Sequence, residues 1–140
     1  MVFKIFLDAN ILLDFLLKRD HYEDAKGIMS LVIDGKANAY ITPAIVHIVG
    51  YWLTKAYGAE IAKQLLLSLL NDVQVIDISH ELTLLALNSK IDDIEDALQY
   101  YAAIHHRLDY FISGDKKFQK SATPTLPVIA PSHFLKEVYN

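Results

Sequence analysis

A short apolar run near the start of the chain ends abruptly on a carboxylate, and this feature limits the possible folds more than any other. Residues 5–7 are Ile, Phe and Leu; Asp8 follows them, and Asn10 precedes an amphipathic stretch over residues 11–17. The pattern predicts a buried parallel strand that turns directly into a helix. Ligands of open α/β sheets bind beyond the carboxyl ends of the strands, so Asp8 is either a site residue or a simple helix cap.

The rest of the chain alternates in the same way. Further strands are predicted at residues 39–42, 73–77, 110–113 and 128–129. Helices are predicted at residues 22–33, 44–56, 59–70, 79–88, about 92–107 and 133–138, with a polar loop after Lys117 and Thr42 as the cap of the helix that Pro43 opens. This order predicts a parallel sheet with helices on both faces, joined by right-handed crossovers. We expect residues 1–140 to form one domain, because no repeat or linker interrupts them.

The composition excludes several classes of protein. Hydrophobic residues make up 53% of the chain, enough for a sizeable core. No apolar run approaches the roughly 18 residues of a membrane span, and the start has no signal-peptide layout. The absence of cysteine excludes thiol catalysis and disulfides, and is compatible with a cytoplasmic location. The net charge of −4 argues against a broad surface that coats nucleic acid.

Two further groups of acids belong with Asp8. Four acids open one predicted helix, namely Asp92, Asp93, Glu95 and Asp96, and Asp115 follows the strand predicted at residues 110–113. Helix capping or an ordinary turn explains each acid taken alone. Taken together, two strand ends and one helix start can converge at one edge of the sheet, where carboxylates suit a hard cation such as Mg²⁺ or Mn²⁺. The chemistry expected there is metal-assisted hydrolysis of a phosphodiester.

Three motifs carry a resemblance to a known family. They are Phe-Leu-Asp-Ala-Asn-Ile-Leu-Leu-Asp at residues 6–14, Asp-Ile-Glu-Asp-Ala-Leu-Gln-Tyr-Tyr-Ala-Ala at 93–103 and Asp-Tyr-Phe-Ile-Ser-Gly-Asp-Lys-Lys-Phe at 109–118. In this order and spacing they resemble the PIN domain family over essentially the whole chain. The resemblance implies a three-layer α/β/α fold with about five parallel strands in the order 3-2-1-4-5. It also implies an endoribonuclease that depends on Mg²⁺ or Mn²⁺, similar to VapC-type toxins, with RNA as substrate and an antitoxin protein as partner.

The resemblance also implies roles for individual residues. Asp8, Asp96 and Asp115 match the catalytic, metal-binding acids, and Asp93 is a further candidate ligand. The candidate supporting residues are Asn10, Ser113 and Asp14. Arg19, Lys116 and Lys117 are candidate contacts to RNA phosphates, the alternative being a scatter of solvated charges.

One family acid is missing from the helix predicted after the second strand. Ile48 falls near its expected place, and the neighbouring His47 is expected to be a core histidine rather than a ligand. Asp92 or Asp93 could substitute for the acid. Without a substitute, the alternative function is an inactive PIN-like module that binds RNA or a protein partner.

Two further expectations concern other classes and the assembly. A receiver-like phosphoacceptor domain also places acids at strand ends, but Lys116 and Lys117 directly adjoin Asp115 instead of following a later strand. The helices predicted at residues 44–56 and 59–70 carry a surplus of apolar residues, Trp52 among them. They predict a homodimer contact.

Overall fold

The computed structural model describes residues 2–139. The strands are β1 Phe3–Leu7, β2 Ala37–Ile41, β3 Val73–Val75, β4 Tyr110–Ile112 and β5 Val128–Ile129. The helices are α1 Ala9–Leu16, α2 Tyr22–Ile33, α3 Pro43–Tyr57, α4 Ala59–Leu69, α5 His80–Leu87, α6 Ile94–His105, α7 Lys116–Ser121 and α8 Pro131–His133, which continues as a π-helical turn over Phe134–Val138.

The strands form one parallel sheet in the order β3-β2-β1-β4-β5. β1 lies at its centre, with Phe6 opposite Tyr40 of β2 on one side and Phe111 of β4 on the other. Helices cover both faces and give a three-layer α/β/α fold. The predicted fold class and strand order are confirmed.

The central strand is buried because both of its neighbours and both helical layers cover it. Ile5, Phe6 and Leu7 are fully buried, and full burial of such a side chain contributes roughly 1.5–3 kcal/mol. The Phe6 ring stacks on Phe111 with 4.6 Å between centroids, and Phe118 of α7 meets Phe111 edge-on at 4.9 Å. This packing fixes the carboxyl ends of β1 and β4, and therefore the residues that follow each strand.

The main error of the sequence prediction concerns α7, which was predicted as loop. Its six residues carry one inward apolar side chain, Phe118, so no helical periodicity marks it. Two contacts that the sequence does not reveal stabilise it: the packing of Phe118 and a cap from Asp115. The prediction that the Thr42 side chain caps α3 was also wrong. Its hydroxyl instead donates a hydrogen bond to Oε1 of the buried Gln99 in α6.

Helix α3 buries one face only. Ile45, Val49 and Leu53 are fully buried, whereas Trp52 is about half exposed. The prediction of a core histidine was wrong, because His47 is exposed beside a groove between α3 and α4. None of the helices in residues 2–139 has the length and apolar character needed to cross a membrane.

Candidate metal centre

Asp8 is a nearly buried carboxylate at the carboxyl end of β1. Its Oδ2 accepts a hydrogen bond of 2.7 Å from Oγ of Ser113, and the Ala9 amide donates a second bond. Burial raises the pKa of Asp8, these two hydrogen bonds oppose that rise, and the charges of Asp115 and Asp93 add to it. Among residues 2–139 no cationic side chain forms an ion pair with Asp8. The protein therefore buries a carboxylate without supplying a positive charge for it, which is costly.

The start of α6 brings a second set of acids to the same place. Asp93 caps the helix, its Oδ1 accepting a bond of 3.0 Å from the Asp96 amide. The pKa of Asp96 is raised to about 7, chiefly by burial and then by the charges of Asp93, Asp8, Asp115 and Glu95 in that order of importance. Asp96 is therefore close enough to each of the other four carboxylates to be repelled by it.

Asp115 follows β4 and caps α7. Its Oδ1 accepts hydrogen bonds from the amides of Lys117 at 3.0 Å and Phe118 at 3.2 Å. Ser113 links it to Asp8, because the same hydroxyl that donates to Asp8 accepts a bond of 3.2 Å from the Asp115 amide. Asp115 lines a 140 Å³ cavity together with Asp93 and Asp96. The structure therefore brings the predicted acids Asp93, Asp96 and Asp115 to one cavity, with Asp8 joined to them through Ser113.

The chemistry of these donors fits a divalent cation, although their present geometry is not that of a finished site. In residues 2–139 no three His, Asp or Glu side chains are grouped closely enough to hold a metal ion as they stand. Asp93 and Asp115 use only Oδ1 in their caps, and Oδ2 of each accepts no hydrogen bond from another described residue. Carboxylate oxygens are the ligands that Mg²⁺ and Mn²⁺ prefer, and a cation would relieve the mutual repulsion.

The remaining predicted residues have other surroundings. Arg19 donates from Nε to Oδ1 of Asp14 at 3.0 Å and from Nη2 to Oδ1 of Asn10 at 3.1 Å. Asn10 and Asp14 therefore hold Arg19, and make no side-chain hydrogen bond with the acids. Lys117 forms an exposed ion pair of 3.4 Å with Asp92, and Lys116 is exposed. A surface ion pair of this kind contributes little to stability, so it does not hold Lys117 away from a ligand. Both lysines are exposed and therefore accessible to a ligand.

Glu95 is an acid of this cluster to which the sequence analysis assigned no individual role. Burial raises its pKa, and the charge of Asp8 is the next cause, followed by that of Asp93. Glu95 precedes Gln99 by one helical turn, so the two share a face of α6, and Gln99 is bound to Thr42 at the end of β2. Glu95 therefore lies on the face of α6 that, one turn further along, contacts the residue after β2. The spacing of Glu95 and Gln99 was the available signal.

No residue of α3 supplies the missing acid. Ile48 is half-buried and packs against the core, and His47 lines the groove between α3 and α4 together with Lys63. Of the two substitutes predicted, Asp92 is paired with Lys117, and Asp93 caps α6. Glu95 is a further acid of α6 that lies close enough to Asp8 for the charge of Asp8 to raise its pKa.

Comparison with known families identifies the class of protein. A family model described as PIN domain matches residues 4–117. The chain belongs to the PIN domain family. This membership sets aside the receiver-like alternative.

Solved structures agree with this fold. VapBC2 of Rickettsia felis, solved with a DNA fragment from its promoter, matches with a TM-score of 0.70 and 19% identity, covering 89% of this chain and 96% of that one. A toxin–antitoxin complex of Klebsiella pneumoniae matches at 0.68 and 22% identity, covering 91% and 97%. VapC20 of Mycobacterium tuberculosis, described as a toxin that cleaves the sarcin–ricin loop, matches at 0.67 and 13% identity, covering 88% and 98%. A comparison with curated protein sequences gave no significant match.

Proposed function

We propose that the protein is an endoribonuclease that hydrolyses RNA phosphodiesters with Mg²⁺ or Mn²⁺ and acts as the toxin of a toxin–antitoxin pair. The observation that carries the proposal is the meeting of Asp93, Asp96 and Asp115 in one cavity beside Asp8, which is nearly buried and has no cationic partner among residues 2–139. Membership of the PIN domain family supports it. The proposed RNA substrate gives the protein a cytoplasmic site of action.

In this proposal Asp8, Asp96 and Asp115 hold the cation, with Asp93 as a further ligand. The cation, when bound, supplies positive charge for the phosphate and the leaving oxygen. Ser113 fixes the orientation of Asp8 through its 2.7 Å hydrogen bond. Lys116 and Lys117, at the start of α7, bind the flanking RNA phosphates.

A cleavage assay tests the proposal directly. Labelled single-stranded RNA should be cut internally by the purified protein with Mn²⁺ or Mg²⁺ and should stay intact in EDTA. The variant Asp72→Asn is a control, because Asp72 is exposed and precedes β3 at the opposite edge of the sheet. Intact RNA under all these conditions would exclude hydrolysis.

A second candidate function is binding without cleavage, as in an inactive PIN-like module. Two observations favour it: the acids of residues 2–139 do not yet form a three-ligand group, and α3 contributes no acid. It predicts that RNA or a protein partner binds with equal affinity in Mn²⁺ and in EDTA, and that RNA is never cut. The cleavage assay therefore separates the two candidates.

Glu95→Gln tests whether this residue replaces the missing α3 acid. We expect Mn²⁺-supported cleavage to fall about tenfold or more, and Mn²⁺ binding measured by calorimetry to weaken, because the amide removes one charge from the site. Glu60→Gln is the matched control, since Glu60 holds the same second position in α4. Equal cleavage and metal binding in the two variants would remove Glu95 from the site.

The exposed apolar side chains of α3 and α4 predict a homodimer. Tyr51, Trp52 and Leu67 are exposed, and an apolar groove of 420 Å³ lies between the two helices. Light scattering should show a dimer for the wild type and a monomer for Trp52→Asp, because a charge in the contact must be desolvated. Leu84→Asp, on the exposed face of α5, should remain dimeric. A monomeric wild type at micromolar concentration would contradict the prediction.

An antitoxin is the proposed protein partner. Two of the structural neighbours are complexes of a toxin with its antitoxin. A small reading frame next to the gene should encode the antitoxin, and its product should copurify with the protein and inhibit RNA cleavage. A copurified product that leaves cleavage unchanged would contradict this assignment.

A further inference from the structure

A cleft on the other side of Asp115 is not used by the proposed hydrolysis. It has a volume of 530 Å³ and lies between the start of α1, the turn from α1 to α2, and the start of α8. Asp115 lines both this cleft and the smaller cavity that holds Asp93 and Asp96. An RNA strand whose phosphate reaches the acids can therefore place a neighbouring nucleotide in the cleft, since ligand sites commonly measure about 300–1,000 Å³.

Arg19 gives the cleft a fixed set of hydrogen-bond donors. Its guanidinium lines the cleft and is held by Asp14 and Asn10 through bonds of 3.0 and 3.1 Å. A guanidinium has five N–H donors, so these two bonds leave others for a ligand. The backbone helps to place it: Lys18 adopts a φ of 53°, and the Arg19 amide then bonds to the Asp14 carbonyl. Arg19 is therefore held ready for a planar ligand with acceptor atoms.

Acceptors and apolar walls complete the cleft. Asp24 lines it, and its carboxylate accepts no side-chain hydrogen bond and forms no ion pair within residues 2–139. Ala130 and Pro131, both partly exposed, supply apolar surface on which a ring can lie. The lining thus combines donors on one side, a carboxylate acceptor and apolar walls.

The charges favour a base over a phosphate. Asp14 and Arg19 neutralise each other, which leaves Asp24 and Asp115 as negative groups in the lining. The carboxylate of Asp24, which the proposed cation does not neutralise, would repel a phosphate in the cleft. Guanine is neutral, presents the acceptors O6 and N7 that arginine contacts in pairs, and carries an amino donor for a carboxylate.

We infer that this cleft binds the guanine base of the nucleotide next to the scissile phosphate. The inference rests on the proposed function for its position along the RNA. The guanidinium of Arg19 contacts O6 and N7, and Asp24 accepts from the amino group. The protein therefore prefers RNA with guanine beside the cut.

Neutral nucleosides test the cleft without cleavage and without phosphate repulsion. In EDTA, guanosine should shift the NMR signals of the Asn10, Arg19 and Asp24 amides. Adenosine and 7-deazaguanosine, which lacks N7, should bind about tenfold more weakly. Equal shifts with the three nucleosides, or none with guanosine, would overturn the inference.

Two variants locate the binding site within the cleft. Ser132→Phe fills the cleft from α8 and should abolish the guanosine shifts, whereas His133→Phe, at the next and exposed position outside the lining, should keep them. Arg19→Lys keeps the charge beside Asp14 but loses the planar fork, so guanosine and 7-deazaguanosine should bind equally. If Ser132→Phe fails to fold, Arg19→Lys decides the question. Unchanged discrimination in Arg19→Lys would overturn the inference.

Cleavage of a random-sequence RNA with Mn²⁺ separates this inference from the proposed function. Products of the wild type should carry guanine beside the cut at least about tenfold more often than other bases, and those of Arg19→Lys should not. Cleavage without base preference would exclude the guanine site but not the proposed hydrolysis. Specific guanosine binding without any cleavage would exclude the proposed hydrolysis but keep the cleft as a nucleobase-binding site.

Discussion

Asp96→Asn should reduce Mn²⁺-supported RNA cleavage about 100-fold or more while leaving the fold intact. A bound cation contributes several kcal/mol to the transition state, and each 1.4 kcal/mol corresponds to about tenfold in rate. The amide keeps the shape of the side chain but loses the charge that holds the cation. The backbone cap of α6 persists, because it joins the Asp96 amide to Asp93 and does not use the Asp96 side chain.

The measurement is the initial rate of cleavage of a labelled RNA at saturating Mn²⁺. Circular dichroism of the variant should match that of the wild type. Asp8→Asn and Asp115→Asn should behave alike, and Asp72→Asn should cleave at the wild-type rate. Cleavage by Asp96→Asn at that rate would show that the acid cavity is not the catalytic site.

The sheet could be predicted because its signals are local and strong. Residues 5–7 are a short apolar run that stops at a carboxylate, which is typical of a buried strand. The predicted strands alternate with predicted helices, and right-handed crossovers between parallel strands then leave few possible topologies. The same logic located Asp8 and Asp115, since the carboxyl ends of adjacent parallel strands meet at one edge of the sheet. β1 and β4 are neighbours in the structure, and Ser113 joins the two acids.

Other features depend on contacts between distant residues, which a sequence pattern does not contain. The helix α7 is stabilised by the packing of Phe118 on Phe111. The Thr42 side chain does not cap α3 as expected but donates a hydrogen bond to Gln99, 57 residues away. His47 is exposed because the buried face of α3 is set by Ile45, Val49 and Leu53, and it lies outside that stripe.

The pH dependence of stability in the metal-free protein tests the acid cluster without any substrate. The folded pKa of Asp96 is about 7, against an ordinary value of 3.8. The folded protein therefore binds more protons than the unfolded chain between these values, and its stability must fall as the pH rises from about 4 to 7. The raised pKa values of Asp8 and Glu95 act in the same direction.

The variant Asp96→Asn should not show the part of this fall in stability that comes from the ionisation of Asp96. In EDTA at pH 8 the variant should be more stable than the wild type by about 1–2 kcal/mol, a value reduced to allow for solvent screening of a half-buried group. That corresponds to a melting temperature about 3–8 °C higher in a domain of this size. The difference should vanish near pH 4, where the wild-type carboxyl is protonated. A role limited to the helix dipole predicts the opposite sign, because losing an acid at a helix start lowers stability.

Mn²⁺ should reverse the order of the two proteins. A cation that binds only the folded state stabilises it by about 2.7 kcal/mol at a hundred times its dissociation constant. Wild type and Asp72→Asn should gain most of this, and Asp96→Asn little, because its site has lost one of the charges that attract the ion. Equal Mn²⁺ shifts in all three proteins would place the ion elsewhere. Because cleavage needs the ion between the acids and the phosphate, that result would also remove the proposed hydrolysis.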